Sequence, residues 1–93
     1  MDKYLSDSIM LEMLAKVQPL QAEILKTGRS AHVDAGVHEP IFGDGASHIS
    51  FGVTIFEEND IVRDFDFSSS DTQEELEAEY VSLKAYVNRI KSE

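Results

Sequence analysis

Residues 48–68 read HISFGVTIFEENDIVRDFDFS, and the alternation of apolar and polar residues in this stretch decides the fold. The apolar positions of its first half are Ile49, Phe51, Val53 and Ile55. A period of two predicts a β-strand with one buried face. A short polar turn around residues 58–60 leads to a second alternating run, 61–68, in which Ile61, Phe65 and Phe67 are expected on one face. Two such runs with a short connection predict a hairpin.

A further alternating run precedes this hairpin and predicts another strand. Its apolar side is Ala31, Val33, Ala35 and Val37, and its polar side is Ser30, His32, Asp34, Gly36 and His38. Glu39-Pro40 is expected to end this strand, because proline cannot donate to an inner ladder. Gly43-Asp44-Gly45 is typical of a loop.

The N-terminal segment predicts a helix. Met10, Met13, Val17, Leu20 and Ile24 recur at spacings of three and four, which places them on one helical face. Leu14 and Leu25 are expected to widen this stripe. Pro19 lies inside it and predicts a kink or a break near Gln18, because proline removes an N–H and clashes with the preceding turn. Gly28 is a plausible stop.

The C-terminal segment predicts a second helix with clear start and stop signals. Ser70, Asp71 and Thr72 are candidate N-caps, each with Gln or Glu three residues later, which is the capping-box spacing. Lys84, Arg89 and Lys91 near the end complement the helix dipole. The expected buried stripe is Leu76, Tyr80, Leu83, Val87 and Ile90.

Together these elements predict one α+β domain over residues 1–93, in the order α-β-β-β-α. The strands should form a three-stranded antiparallel meander with both helices on one face. The residues expected beneath the helices are Ala31, Val33, Ile49, Phe51, Val53, Ile55, Phe65 and Phe67. The other, polar sheet face would carry His32, Asp34, His38, His48, Ser50, Thr54, Asp64 and Asp66.

The charge of −10 is concentrated in one part of the sequence. Ten of the eighteen acidic residues lie between Glu57 and Glu79, against the single base Arg63, so the remaining residues are nearly neutral. A local field of one sign selects partners of the opposite sign, such as basic protein surfaces or metal cations. It argues against direct binding to nucleic acid or to an anionic membrane, which require clustered Lys and Arg.

Composition narrows the class of protein further. The chain has no cysteine, which excludes disulfides and thiolate chemistry and fits a cytoplasmic protein. Acidic residues interrupt the apolar N-terminus, so no signal peptide is expected, and no run reaches transmembrane length. Ninety-three residues build a modest core rather than a deep cleft between domains. No Gly-rich phosphate loop or nucleophile motif is present, so an enzyme is not expected.

Two residue sets resemble metal sites in part. Asp64, Asp66, Ser68 and Glu75 have the oxygen-ligand spacing of a calcium loop, but Ser69 stands where that loop needs glycine. His38 and His48 would be cross-strand neighbours if the first two strands pair, and Asp34, Glu39 or Asp44 would complete a zinc or nickel site with them and His32. Neither set is complete, so we expect no cofactor and no tight metal site.

The interpretation that the charge favours is a non-enzymatic module that binds a basic protein partner, as an inhibitor, immunity protein, antitoxin or anti-defence protein does. The expected partner-binding residues are Glu57, Glu58, Asp64, Asp66, Glu74, Glu77, Glu79 and Val81. Charge reversals at Glu74, Glu77 and Glu79 should weaken binding while sparing the fold. One alternative is a metal- or small-ligand-binding domain that uses the polar sheet face, and another is a homo-oligomeric structural subunit such as a homodimer.

In element order and acidity the chain resembles some anti-CRISPR proteins that mimic nucleic acid. The resemblance concerns architecture and composition alone, so it transfers no residues.

Overall fold

A computed structural model describes residues 4–38 and 48–93, with the backbone alone at His38. The order is α1 (Asp7–Lys26), β1 (Ser30–His38), β2 (His48–Glu57), β3 (Asp60–Phe67) and α2 (Gln73–Lys91). The strands form one antiparallel sheet in the order β1-β2-β3. This is the α+β meander that the sequence predicts. Glu39-Pro40 and Gly43-Asp44-Gly45 lie outside the described residues.

The buried side of the sheet is the one that the alternation predicts. Val53 of the central strand pairs with Val33 on one side and with Phe65 on the other. Phe51 pairs with Phe67, and their rings stack at 4.7 Å. Both helices contribute to the same core, whose sheet residues are Ala31, Phe51, Val53, Ile55, Phe65 and Phe67, with Val33 and Ile49 packed at its margin. The prediction that both helices cover one sheet face is confirmed.

The strand β3 departs from simple alternation at its start. A register shift between Ile55 and Phe56 places Ile55 opposite Arg63 but Phe56 opposite Ile61, so Val62 has no partner on β2. Such a bulge puts the residue before it on the opposite face from the one that simple alternation gives. Ile61 is therefore 64% exposed rather than sharing the buried face of Phe65, and that part of the expectation is wrong.

The turn between β2 and β3 has two residues, Glu58 and Asn59, between the paired Glu57 and Asp60. Both have positive φ, 49° and 75°. This is the geometry of a type I′ turn, whose twist matches that of a hairpin and which favours Asn-Gly. A glutamate in the left-handed region is strained, because its Cβ crowds the backbone there.

Changing Glu58→Asn together with Asn59→Gly is therefore expected to stabilise the protein by about 1 kcal/mol. For a domain of this size the melting temperature should rise by about 4–8 °C. Asn59→Val is the control, since a β-branched residue at positive φ should lower the melting temperature. Thermal unfolding followed by circular dichroism measures both, and an unchanged or lower melting temperature in the Asn-Gly variant would contradict the turn geometry.

The helix α1 is continuous through Pro19, so the proline does not split it. Ser6 caps its start by accepting a hydrogen bond from the N–H of Ile9 at 3.3 Å. Gly28 follows the C-cap with φ 90°, in the left-handed conformation that ends many helices. The predicted stripe is buried at Met10, Met13, Val17 and Ile24, but Leu25 is exposed, so the stripe is narrower than expected.

The helix α2 begins with the predicted capping box. The Thr72 hydroxyl accepts from the N–H of Glu75 at 3.1 Å, and the Glu75 carboxylate accepts from the N–H of Thr72 at 3.0 Å. Its buried residues are Leu76, Leu83, Tyr86, Val87 and Ile90, while Tyr80 is half-buried. Tyr86 was not predicted in this stripe.

A buried serine ties three segments together at one end of the sheet. The N–H of Ser69 donates to the Ser50 hydroxyl at 3.1 Å, and its carbonyl accepts from the N–H of Leu5 at 2.8 Å. Ser69 is fully buried, so these bonds satisfy backbone groups that water does not reach.

Among the described helices, none combines the length and hydropathy needed to cross a membrane.

Candidate functional site

The fold separates the acidic segment into two groups. Glu57, Glu58 and Asp60 lie at the β2–β3 turn, whereas Asp66 lies near the far end of β3. At about 3.3 Å per residue, Asp60 and Asp66 are about 20 Å apart. That distance exceeds the Debye length of about 8 Å at physiological ionic strength, so the two groups act as separate charges.

Arg29 pairs with one acid of the turn, Glu57, and two more arginines lie nearby. Arg29 Nε lies 2.6 Å from Glu57 Oε1, and its Nη2 lies 2.7 Å from Glu93 Oε2. Arg63 and Arg89 both lie against the ring of Tyr86, at 5.3 Å and 5.0 Å from its centroid. We call this end of the molecule the mixed-charge pole.

Ion pairs shift the pKa values of Arg29 and Glu23. Burial by itself lowers the pKa of Arg29, but hydrogen bonds to Glu93 and Glu57 raise that pKa overall. Hydrogen bonds from Lys91 and then from Lys26 lower the pKa of Glu23. Both shifts favour the charged forms, as expected for groups that are ion-paired within the protein.

A shallow depression of about 330 Å³ lies at the mixed-charge pole. Its lining combines Arg29, Arg63 and Arg89 with Glu57, Glu93, Val62, Tyr86 and Ile90. Two carboxylates already accept hydrogen bonds from Nε and Nη2 of Arg29. Because this arginine is paired within the protein, the depression is a poor candidate for the functional site.

The second acidic group is distributed over β3 and α2. The Glu79 carboxylate on α2 accepts a hydrogen bond from the N–H of Asp66 at 3.0 Å, which joins the helix to this side of the sheet. Asp64 accepts from the Thr54 hydroxyl at 3.2 Å. We call this surface the acidic edge and define it by Asp64, Asp66, Glu74, Glu77 and Glu79.

Few cations reach the acidic edge. Among residues 4–38 and 48–93, the ion pair recorded there joins Lys16 Nζ to Glu77 Oε1 at 3.6 Å, with both side chains about half exposed. The hydrogen-bond donors to Asp64 and Glu79 are neutral, so they orient the carboxylates without cancelling their charge. Exposed pairs such as Lys16–Glu77 contribute little, about 0–1 kcal/mol. The negative field of this edge is therefore largely unopposed.

An apolar strip adjoins the acids on the outer side of α2. Glu77, Ala78 and Val81 lie three, four and seven residues after Glu74, which places them on one face of the helix. All four are exposed, and Val81 is 63% exposed. An apolar contact rimmed by charges is typical of protein interfaces.

The eight predicted partner-binding residues thus do not form one surface. Within the acidic edge, a hydrogen bond joins Glu79 to Asp66, and Asp64 lies on the same strand. Glu74, Glu77 and Val81 lie on the outer side of α2, where Glu77 pairs with Lys16 of α1. Glu57 and Glu58 lie at the other end of β3, where Glu57 is bound to Arg29. Glu79 is half-buried and accepts a hydrogen bond from the Asp66 N–H, so reversing its charge would remove this bond. That the charge reversals at Glu74, Glu77 and Glu79 spare the fold stays a prediction.

The open face of the sheet carries the residues of the alternative, ligand-binding interpretation. His32, Thr54 and Asp64 form one cross-strand row, and Asp34, Gly52 and Asp66 form the next. His38 pairs with His48 in register, as the sequence predicts if β1 and β2 pair. The His48 ring stacks on Tyr4 at 4.0 Å, so the N-terminal segment covers this end of the sheet.

The described part of the chain contains no group of three or more His, Asp or Glu side chains that could hold a metal ion. The predicted calcium-loop residues take other positions here. Asp64 and Asp66 lie within β3, and Glu75 closes the capping box of α2. Glu39 and Asp44, named as partners for the histidines, lie outside the described residues.

Sequence reasoning missed the contacts that divide the acids into two groups. Arg29 is 28 residues from Glu57 and 64 from Glu93, and no local pattern connects them.

No protein-family model matches this chain, and neither a curated protein nor a solved structure matches it.

Proposed function

We propose that this protein is a non-enzymatic binding module that docks the basic surface of another protein on its acidic edge. The observation that carries the proposal is the contrast between the two acidic groups. Glu57 at the turn is paired with Arg29 and lies beside Arg63 and Arg89, whereas among residues 4–38 and 48–93 the ion pair recorded at the acidic edge is with the exposed Lys16. Inhibitors, immunity proteins, antitoxins and anti-defence proteins are the classes that act in this way.

The shape of the surface supports a protein partner rather than a small cation. The carboxylates follow β3 and the first turns of α2, and Val81 adds an exposed apolar side chain beside them. A basic protein surface would pair with the carboxylates while covering the apolar strip. Like charges grouped in this way repel one another, a cost that a partner of opposite sign removes.

Two double charge reversals test the proposal with equal changes in net charge. Glu74→Lys with Glu77→Lys alters the acidic edge. Glu58→Lys with Asp60→Lys alters the turn and is the matched control, since it lies in the same acidic segment. All four side chains are exposed, so the free energy of unfolding of both variants should stay within about 0.5 kcal/mol of the wild-type value.

The partner is first isolated from an extract of the native host with the wild-type protein as bait, and its affinity is then measured for all three proteins by calorimetry. The edge variant should bind at least about tenfold more weakly, which corresponds to about 1.4 kcal/mol. The turn variant should bind as the wild type does. Equal affinities for the edge variant and the wild type, or a larger loss in the turn variant, would contradict the proposal.

A further inference from the structure

The two edges of the sheet differ in how their backbone groups are satisfied. At the β3 edge, Glu79 binds the outward N–H of Asp66, and a bulge and the charged Arg63 and Asp64 interrupt the strand. Bulges and charges are the usual means by which a protein keeps an edge strand from pairing with another chain. The β3 edge is therefore protected.

The β1 edge has no bulge, and Asp34 is the one acidic residue along it. Gln21 Nε2 donates to the Ala31 carbonyl at 2.9 Å, which shows that this carbonyl points away from β2. Outward and inward residues alternate along an antiparallel ladder, so the N–H and C=O groups of Val33, Ala35 and Val37 also point outward. Among the described residues, none binds these groups.

The sequence of β1 suits pairing with another strand. All nine residues of β1 pair with β2 without a bulge, and the strand contains neither proline nor lysine. Ala35 and Val37 lie on the side of the sheet that carries the core, yet both are exposed and Val37 is 66% exposed. A long, flat edge with exposed apolar side chains is a template for strand addition.

We propose that β1 pairs antiparallel with β1 of a second copy, with the two-fold axis at Ala35. This register sets Val33 opposite Val37, and Asp34 opposite Gly36, so the two Asp34 carboxylates do not face each other. Val37 of one copy then lies beside Val33 of the other copy. Because Val33 is packed against the core of its own copy, the exposed Val37 becomes covered. The interface uses the same patch on both copies, as a two-fold dimer requires.

The charge distribution allows a second copy to pair at this edge. The dimer would have the strand order β3-β2-β1-β1-β2-β3, which places the two acidic edges at opposite ends of a six-stranded sheet. At about 4.8 Å per strand these edges lie about 24 Å apart, beyond the Debye length. Each edge would remain open to a partner, so the dimer would bind bivalently if the proposed function holds.

Sedimentation equilibrium over a range of protein concentrations tests the dimer directly. Ala35→Pro removes an outward N–H without removing a bond to β2, and Val37→Lys puts a charge into the proposed interface. Ile61→Lys is the matched control, because Ile61 is equally exposed but lies on β3. The wild type and the Ile61 variant should dimerise. The Ala35 and Val37 variants should stay folded by circular dichroism with dissociation constants raised about tenfold or more.

Hydrogen exchange identifies the edge that pairs. As concentration rises, exchange should slow at the N–H groups of Val33, Ala35 and Val37, while Asp34 and Gly36 change little because β2 already binds them. A wild-type protein that remains a monomer at millimolar concentration would overturn the proposal. So would dimers that persist in both β1 variants, or that dissociate in the Ile61 variant. None of these results depends on whether the acidic edge binds a basic partner.

Discussion

The Val53→Asp variant is expected to be unfolded at room temperature. Val53 is 1% exposed at the centre of the middle strand, between Val33 and Phe65. An ionised carboxylate there would have no cation and no water, and burying it costs several kcal/mol even when its pKa rises to neutralise it. Native domains are stable by about 5–15 kcal/mol in total, so a single buried charge removes most of that stability.

Circular dichroism and the dispersion of amide proton resonances measure this effect. Ile61→Asp makes the same kind of change at an exposed position of β3 and should leave both signals close to those of the wild type. A cooperative thermal transition in the Val53 variant at the wild-type temperature would mean that the helices do not cover this face of the sheet.

The second large effect is expected for Phe67→Ala. Phe67 is 1% exposed, and its ring stacks on Phe51 with the ring centroids 4.7 Å apart. Truncating a buried phenylalanine costs about 3–5 kcal/mol through lost burial and the cavity that remains. The melting temperature should fall by at least about 12 °C, taking about 4 °C for each kcal/mol.

The bulge in β3 gives this prediction a matched control. Simple alternation places Ile61 on the same face as Phe67, whereas the register places it opposite Phe56 on the open face. Ile61→Ala should therefore change stability by less than about 0.5 kcal/mol. A loss in the Ile61 variant comparable with that of Phe67 would show that the strand has no bulge and that Ile61 belongs to the core.

The strands and helices were predictable because local periodicity determines them. The apolar residues at 51, 53 and 55 alternate, so the buried face of β2 follows from the sequence. The Thr72–Glu75 capping box is likewise a local signal, and the helix begins where that signal places it. Burial of these residues is then a consequence of packing one apolar face against another.

The features that sequence reasoning missed depend on contacts between distant residues. The bulge after Ile55 has no composition signal, and it reversed the expected position of Ile61. The acidic segment looked like one field because its residues are close in sequence. The extended β3 strand puts about 20 Å between the turn acids and Asp66. Arg29 binds Glu57 at the turn, and Glu79 accepts a hydrogen bond from the N–H of Asp66 near the other end of β3.

The most direct test of the proposed function is the association rate of the wild-type protein with its isolated basic partner, measured by stopped flow as a function of salt. An unopposed acidic edge should steer a basic partner, so the rate constant should fall about tenfold or more from low to moderate ionic strength. The turn variant Glu58→Lys with Asp60→Lys should keep this dependence, and the edge variant Glu74→Lys with Glu77→Lys should lose most of it. An edge variant with the wild-type rate and salt dependence would contradict the account.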